Sequence, residues 1–131
     1  YGDKFGSRGG LREVTVREQG CAFRFRVIDC ANERGETSIA GEVLDGARLI
    51  YPLTLRNWRF GDRFRGRGRS EPHKLKRLFS EKGIDRWRRD GWPVLVSGET
   101  RAWSREFGVA AEVAATRGTK TGVVIVEEKL E

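Results

Sequence analysis

An α+β fold, mostly antiparallel β-sheet with one or two helices packed on it, is what this sequence predicts. Three observations carry that reading. Several runs alternate apolar and polar residues with the period of two that a half-buried strand requires. Seventeen glycines supply the turns that hairpins need. One window beyond Leu55 places Leu75, Leu78 and Phe79 at i, i+3 and i+4, the spacing of a helix face. A chain of 131 residues buries about two thirds of its extended surface, enough to fold without disulfide staples.

The elements follow in order. Residues 1–10 (YGDKFGSRGG) hold four glycines and little apolar content, and read as a flexible tail or linker. Residues 11–51 read as a β-rich connecting region. Leu11, Val14 and Val16 alternate with polar neighbours. In the next run Ala22, Arg24 and Arg26 share one face while Phe23, Phe25 and Val27 share the other. Gln19-Gly20 between the runs predicts a hairpin turn. Asn32–Glu36 reads as a polar turn, Thr37–Asp45 as a further strand and Asp45-Gly46 as a turn. Residues 52–131 form the third segment. Arg48–Trp58 predicts a strand with Pro52 at its start. Gly61–Ser70 (GDRFRGRGRS) reads as a flexible loop, because three glycines punctuate four arginines. Ser70 is placed to cap a helix running from Pro72 to Lys82, with Gly83 as its stop. A short second helical turn follows Asp85 and ends at Gly91. Pro93–Ser97 and Thr100–Ser104 predict two strands joined by a turn. Ala110–Thr116 fits strand and helix equally. Arg117–Gly122 reads as a hairpin loop before a final strand from Val123.

Charge is concentrated. Between Arg56 and Arg89 stand 13 Lys and Arg against four acids, Asp62, Glu71, Glu81 and Asp85, while the whole chain carries a net +7. Everything outside that window is slightly acidic. Such focused charge attracts a polyanion from a distance. It predicts a nucleic-acid binder. Cys21 and Cys30 are nine apart and His73 is the single histidine. That pattern does not fit a structural zinc site, and each thiol is expected as a small buried hydrophobe. No apolar run is long enough to span a bilayer. The chain begins at Tyr1 and contains no methionine, so it is expected to be a piece of a longer protein.

The basic window has three parts. The first is the turn with Arg56, Arg59, Arg63 and Arg65. The second is the helix region with His73, Lys74, Lys76 and Arg77. The third is the cluster Arg86, Arg88 and Arg89. Guanidinium groups pair bidentately with phosphates and stack on bases, so these eleven residues are the candidate RNA contacts. Trp58, Trp87 and Trp92 lie among them and are each expected in the core. Asp62 is expected to orient neighbouring arginines rather than to catalyse. His73 in a basic helix is expected to contact phosphate rather than act as a general base. No Walker-type phosphate loop, GxSxG elbow or SGG-type pyrophosphatase loop is present. No catalytic residue, metal or cofactor is therefore assigned to this chain. Two alternatives remain: a nuclease using Asp62, Glu81 and His73, and a module that meets an acidic protein partner.

The ordered string LRNWRFGDRF, HKLKRLF, RWRRDGWPVLV resembles the C-terminal region of the tRNA(Ile)-lysidine synthetases. Leu55, Arg56, Gly61, Asp62, Arg63 and Phe64 fit the first block. Lys74, Leu75 and Lys76 fit the second. Arg86, Arg89, Asp90, Pro93, Leu95 and Val96 fit the third, with the intervals kept. The likeness covers about 52–104. The chain departs from the family pattern at Phe60 and Asp85 (usually Pro), at His73 and Gly83 (usually Lys) and at Arg77 (often Asp).

The resemblance implies a PheT/TilS-like C-terminal domain over 52–131 that docks tRNA on its acceptor-stem side. It implies a cytoplasmic parent enzyme that ligates lysine to the wobble cytidine of an isoleucine tRNA with a CAU anticodon. That ATP-dependent step changes codon reading from AUG to AUA. ATP, Mg and lysine would be bound by a separate N-terminal domain, and this chain would bind tRNA without catalysis, with no membrane as partner.

Overall fold

A computed structural model describes residues 1–7, 10–18, 20–30 and 42–130. In chain order the first strands are β1 (Gly2–Phe5), β2 (Glu13–Glu18), β3 (Cys21–Asp29), β4 (Val43–Asp45) and β5 (Leu53–Asn57). A short pair, β6 (Arg63–Phe64) and β7 (His73–Lys74), leads into α1 (Leu75–Glu81) and α2 (Arg86–Arg89). The last strands are β8 (Pro93–Ser97), β9 (Thr100–Ser104), β10 (Gly108–Val109) and β11 (Thr121–Lys129).

Alternation builds the first sheet. In β3, Phe23 and Phe25 are buried while Arg24 and Arg26 face solvent. β2 pairs with β3 across the expected hairpin, Val14 opposite Phe25 and Val16 opposite Phe23. The sheet order is β2-β3-β11-β4, and the second sheet runs β1-β5-β8-β9-β10. Every strand pairing among the described residues is antiparallel, so the predicted α+β class with mostly antiparallel sheet and two helices is what the chain adopts. The two sheets share one core. Phe5 of one lies 4.5 Å, ring to ring, from Phe25 of the other, and Trp103 meets Phe23 edge-on at 6.0 Å.

Four expectations are corrected. The supposed tail is β1, paired with β5 from Gly2–Arg56 to Phe5–Leu53. Its one apolar residue, Phe5, packs on Phe25, but a single apolar residue makes no alternation, and the backbone pairing that adds the strand to the sheet edge is open to any sequence. The loop Arg117–Gly122 does not close a hairpin. A 3₁₀ turn at Ala111–Val113 precedes it, and β11 crosses to pair with β3 over nine positions, Thr121–Asp29 to Lys129–Cys21. The sheets thus draw strands from both sides of the expected boundary at 51/52. Gly61–Ser70 is not an open loop throughout, since Arg63–Phe64 pairs with His73–Lys74. That pairing takes the residues expected to open the helix, so α1 starts at Leu75 and Ser70 does not cap it; Lys74 at the N-cap makes no side-chain cap. The expected turn at Asn32–Glu36 and most of the strand expected over Thr37–Asp45 lie outside the described residues.

The buried side of α1 is as expected. Leu75, Leu78 and Phe79 are buried, whereas Lys82 is exposed. The helix ends in a Schellman arrangement. Ile84 N donates to Phe79 O at 2.9 Å and Gly83 N to Ser80 O at 3.1 Å. Gly83 adopts φ +68°, the left-handed conformation that this cap requires and that glycine reaches without a Cβ penalty.

Candidate nucleic-acid interface

The basic turn is organised from inside by Asp62. Gly61 takes φ +91° and reverses the chain, so Asp62 N donates to Arg59 O at 3.0 Å. Asp62 itself is only 2% exposed. Its carboxylate accepts from Arg56 Nη1 (2.9 Å), Arg56 Nη2 (2.8 Å), Arg59 N (2.7 Å) and Arg101 Nε (2.9 Å). Burial pushes this carboxyl up, but the hydrogen bonds from Arg56, the Arg59 amide and Arg101 outweigh it and hold its pKa below the usual 3.8. Its carbonyl accepts from Leu75 N at 2.9 Å, which ties the turn to the start of α1. The expected orienting role of Asp62 holds. The nuclease alternative loses one of its two carboxylates, because both Asp62 oxygens carry arginine bonds.

Arg56 is corrected. Expected as an RNA contact, it is 7% exposed and gives its guanidinium to Asp62 and to Asn57 O (2.9 Å). It cannot meet a phosphate in this arrangement. Arg101, its partner on the carboxylate, lies outside the basic window, and nothing in TRAWS distinguishes it from a solvent-facing strand residue.

The β6–β7 ribbon sets charge on its outer side. Arg63 lies opposite Lys74, and Phe64 opposite His73. Directly opposed residues share a face with Cβ atoms about 5 Å apart. Phe64 is buried and His73 half-buried, so Arg63 and Lys74 point outward together and are exposed. Like charges so placed repel, and a bound anion relieves that repulsion.

The remaining candidate contacts divide into two sets. Arg65 Nε bonds Glu112 Oε1 at 2.8 Å, and Arg77 Nε bonds Glu81 Oε1 at 3.2 Å. Arg89 turns inward, its Nε on Ile84 O at 2.8 Å and its Cζ 5.2 Å from the centre of the Phe79 ring. Arg59, Arg63, Lys74, Lys76, Arg86 and Arg88 are exposed, and no acid pairs with them among the described residues. Through Phe107, whose ring lies 6.3 Å from Phe64 and 5.8 Å from Phe79, the ribbon joins the turn and both helices around Phe79. Its ring touches Trp58 edge-on at 5.0 Å and Trp92 at 5.3 Å, and Trp58 in turn lies 5.3 Å from Phe60.

The tryptophans part company. Trp92 is buried, Trp58 is half-buried against Phe79, and Trp87 is 77% exposed, so the expectation of a core residue fails for Trp87. Phe60 is also outside, 80% exposed with Lys76 Nζ 5.6 Å above its ring. The cysteines form no disulfide with each other and are half-buried rather than buried. Cys21 opens β3 and Cys30 follows its last residue. No helix among the described residues is long and apolar enough to cross a membrane.

Comparison with known proteins follows the same residues. Positions 53–126, more than half of the chain, match the family described as the TilS substrate C-terminal domain. The tRNA(Ile)-lysidine synthase of Solibacter usitatus (strain Ellin6076) is 48% identical over 82 residues, covering 63% of this chain and 18% of that protein. The tRNA(Ile)-lysidine synthase of Bacillus subtilis (strain 168) is 29% identical over 94 residues, 70% of this chain and 19% of that protein. The chain thus matches under a fifth of the length of these relatives. A crystal structure of the TILS C-terminal domain aligns with a TM-score of 0.76 and 25% identity, over 100% of this chain and 99% of that one. The ordered arginine turn, helix and strand blocks, on a fold shared from end to end, make this chain a member of the TilS substrate C-terminal domain family.

Proposed function

We propose that this chain is the tRNA-docking C-terminal domain of a cytoplasmic tRNA(Ile)-lysidine synthase. The observation that carries the reading is a set of six outward, acid-free cations, three on the turn and ribbon that Asp62 locks from within and three on α1 and α2. A-form RNA offers phosphates and 2′-hydroxyls across a shallow minor groove, while its deep major groove hides the bases. A rigid face of Arg and Lys with few base-reading groups suits that target. Arg63 and Lys74 on the ribbon and Lys76 on α1 would hold one stretch of backbone. Arg86 and Arg88 on α2 would hold another.

The chemistry of the parent would lie elsewhere. Lysine would be joined to the wobble cytidine of the CAU-anticodon isoleucine tRNA by a separate ATP-dependent domain, which would bind ATP, Mg and lysine. This chain would add affinity on the acceptor-stem side. Because phosphate contacts carry no sequence information, it would discriminate little among tRNAs by itself. The test is titration of tRNA into the wild-type chain and the Arg63→Glu/Lys74→Glu variant. At least tenfold weaker binding with unchanged thermal unfolding supports docking on the ribbon. Equal affinity for the two proteins refutes it.

A further inference from the structure

Trp87 is placed to do something that a duplex-binding surface does not need. α2 is a single turn, and successive residues on it are about 100° apart. Arg89 faces the protein, over Phe79 and bonded to Ile84 O. Trp87 is therefore about 200° round from that inward side, and its indole is 77% exposed. Arg86 and Arg88 sit about 100° to either side of it and are exposed as well. The turn presents a flat apolar ring with a guanidinium on each flank.

Leaving an indole in water forgoes one of the largest burial gains a side chain offers. The core had room to recruit aromatics nearby, since Trp58 and Trp92 both pack on Phe79. Bases inside an A-form stem are stacked on each other and cannot lie on a side chain. An unpaired base has a free face and a phosphate on each side, which matches a ring between two cations. An apolar protein partner matches the ring but not the flanking charge.

We propose that Trp87 is a stacking platform for one unpaired nucleobase adjoining the duplex, with Arg86 and Arg88 on the neighbouring phosphates. The module then engages a junction of stem and single strand rather than a stem alone. The inference rests on the docking reading and adds the class of RNA end it prefers.

Two RNAs test it: a blunt-ended duplex of two separate strands, and the same duplex with a four-nucleotide 3′ single-stranded extension. The wild-type chain is expected to bind the extended duplex roughly 5- to 150-fold more tightly, the range that one base–aromatic stack supplies. Trp87→Ala should remove that increment and leave blunt-duplex affinity within about twofold, whereas Trp87→Phe should keep part of it. Because the indole is exposed, thermal unfolding should not move. Equal wild-type affinity for both duplexes overturns the stacking proposal while leaving docking intact. So does an equal loss on both duplexes in Trp87→Ala. Failure of the wild-type chain to bind either duplex overturns docking and stacking together.

Discussion

Two stretches of the same basic window use arginine in opposite ways. In the turn from Arg56 to Arg63, a buried carboxylate draws Arg56 inward and recruits Arg101 from β9, two strands away from β5. In α2 no buried acid exists, and only Arg89 folds back, onto an aromatic face. The difference shows that arginine count does not measure binding surface. What decides is whether a partner, a buried acid for Arg56 or a carbonyl and an aromatic face for Arg89, lies behind the guanidinium. Asp62 turns two arginines into scaffold, and that scaffold holds Arg59, Arg63 and Lys74 outward.

The largest effect should come from breaking the inward half. Asp62→Ala leaves two guanidiniums around a site with no counter-charge, a change that costs about 3–5 kcal/mol for a buried pair. Denaturant unfolding measures it, and a loss under about 1 kcal/mol would remove the clamp from the account. Tenfold or greater loss of RNA affinity should accompany it, because the lost carboxylate bonds to Arg56 and to Arg59 N release the turn that sets Arg59 and Arg63 outward.

The outward half should respond differently. Arg86→Glu/Arg88→Glu should weaken tRNA binding roughly ten- to a hundredfold and leave unfolding nearly unchanged. If that variant also unfolded several degrees lower, α2 would belong with the scaffold and the contrast would fail.

A pH titration sharpens the same comparison. The Asp62 pKa is held below its usual value, so its stabilisation is complete above the ordinary carboxylate range. It disappears as pH falls through that range towards the folded-state value. The stability gap between the wild-type chain and Asp62→Ala should therefore be widest near neutrality and close under acid. A gap independent of pH would mean that the carboxylate charge is not what stabilises the turn.

The smallest effect is expected at Arg77. Its pair with Glu81 is an exposed i,i+4 contact, worth about 0.3–0.5 kcal/mol. Arg77→Ala should alter unfolding by no more than that.

Much of this was legible in the sequence, and the misses share a cause. Alternation in Cys21–Asp29 and the apolar spacing of Leu75, Leu78 and Phe79 reported burial directly, and both elements formed as expected. Asp62 between Arg59 and Arg63 signalled an orienting acid. β1 was hidden because its edge pairing uses backbone groups, which any sequence possesses. The start of α1 was hidden because Ser70 and Pro72 favour a helix locally, while Arg63–Phe64 takes His73–Lys74 into a ribbon. Arg56 looked like its neighbours because its burial depends on the fold of the Asp62 turn and on Arg101 reaching it from β9, two strands away, a tertiary fact. Trp87 was misplaced for the converse reason: aromatic content predicts burial on average, and one exposed ring escapes an average.

The salt dependence of tRNA binding tests the central claim most directly, measured for the wild-type chain and for Arg63→Glu/Lys74→Glu/Arg86→Glu/Arg88→Glu. Neutralising about five phosphates predicts that log K falls by about 3.5 to 4.5 for each decade of salt in the wild-type chain. The quadruple variant should lose most of that slope while still folding. A wild-type slope near zero, or the same slope in both proteins, would contradict the outward cations as the docking face.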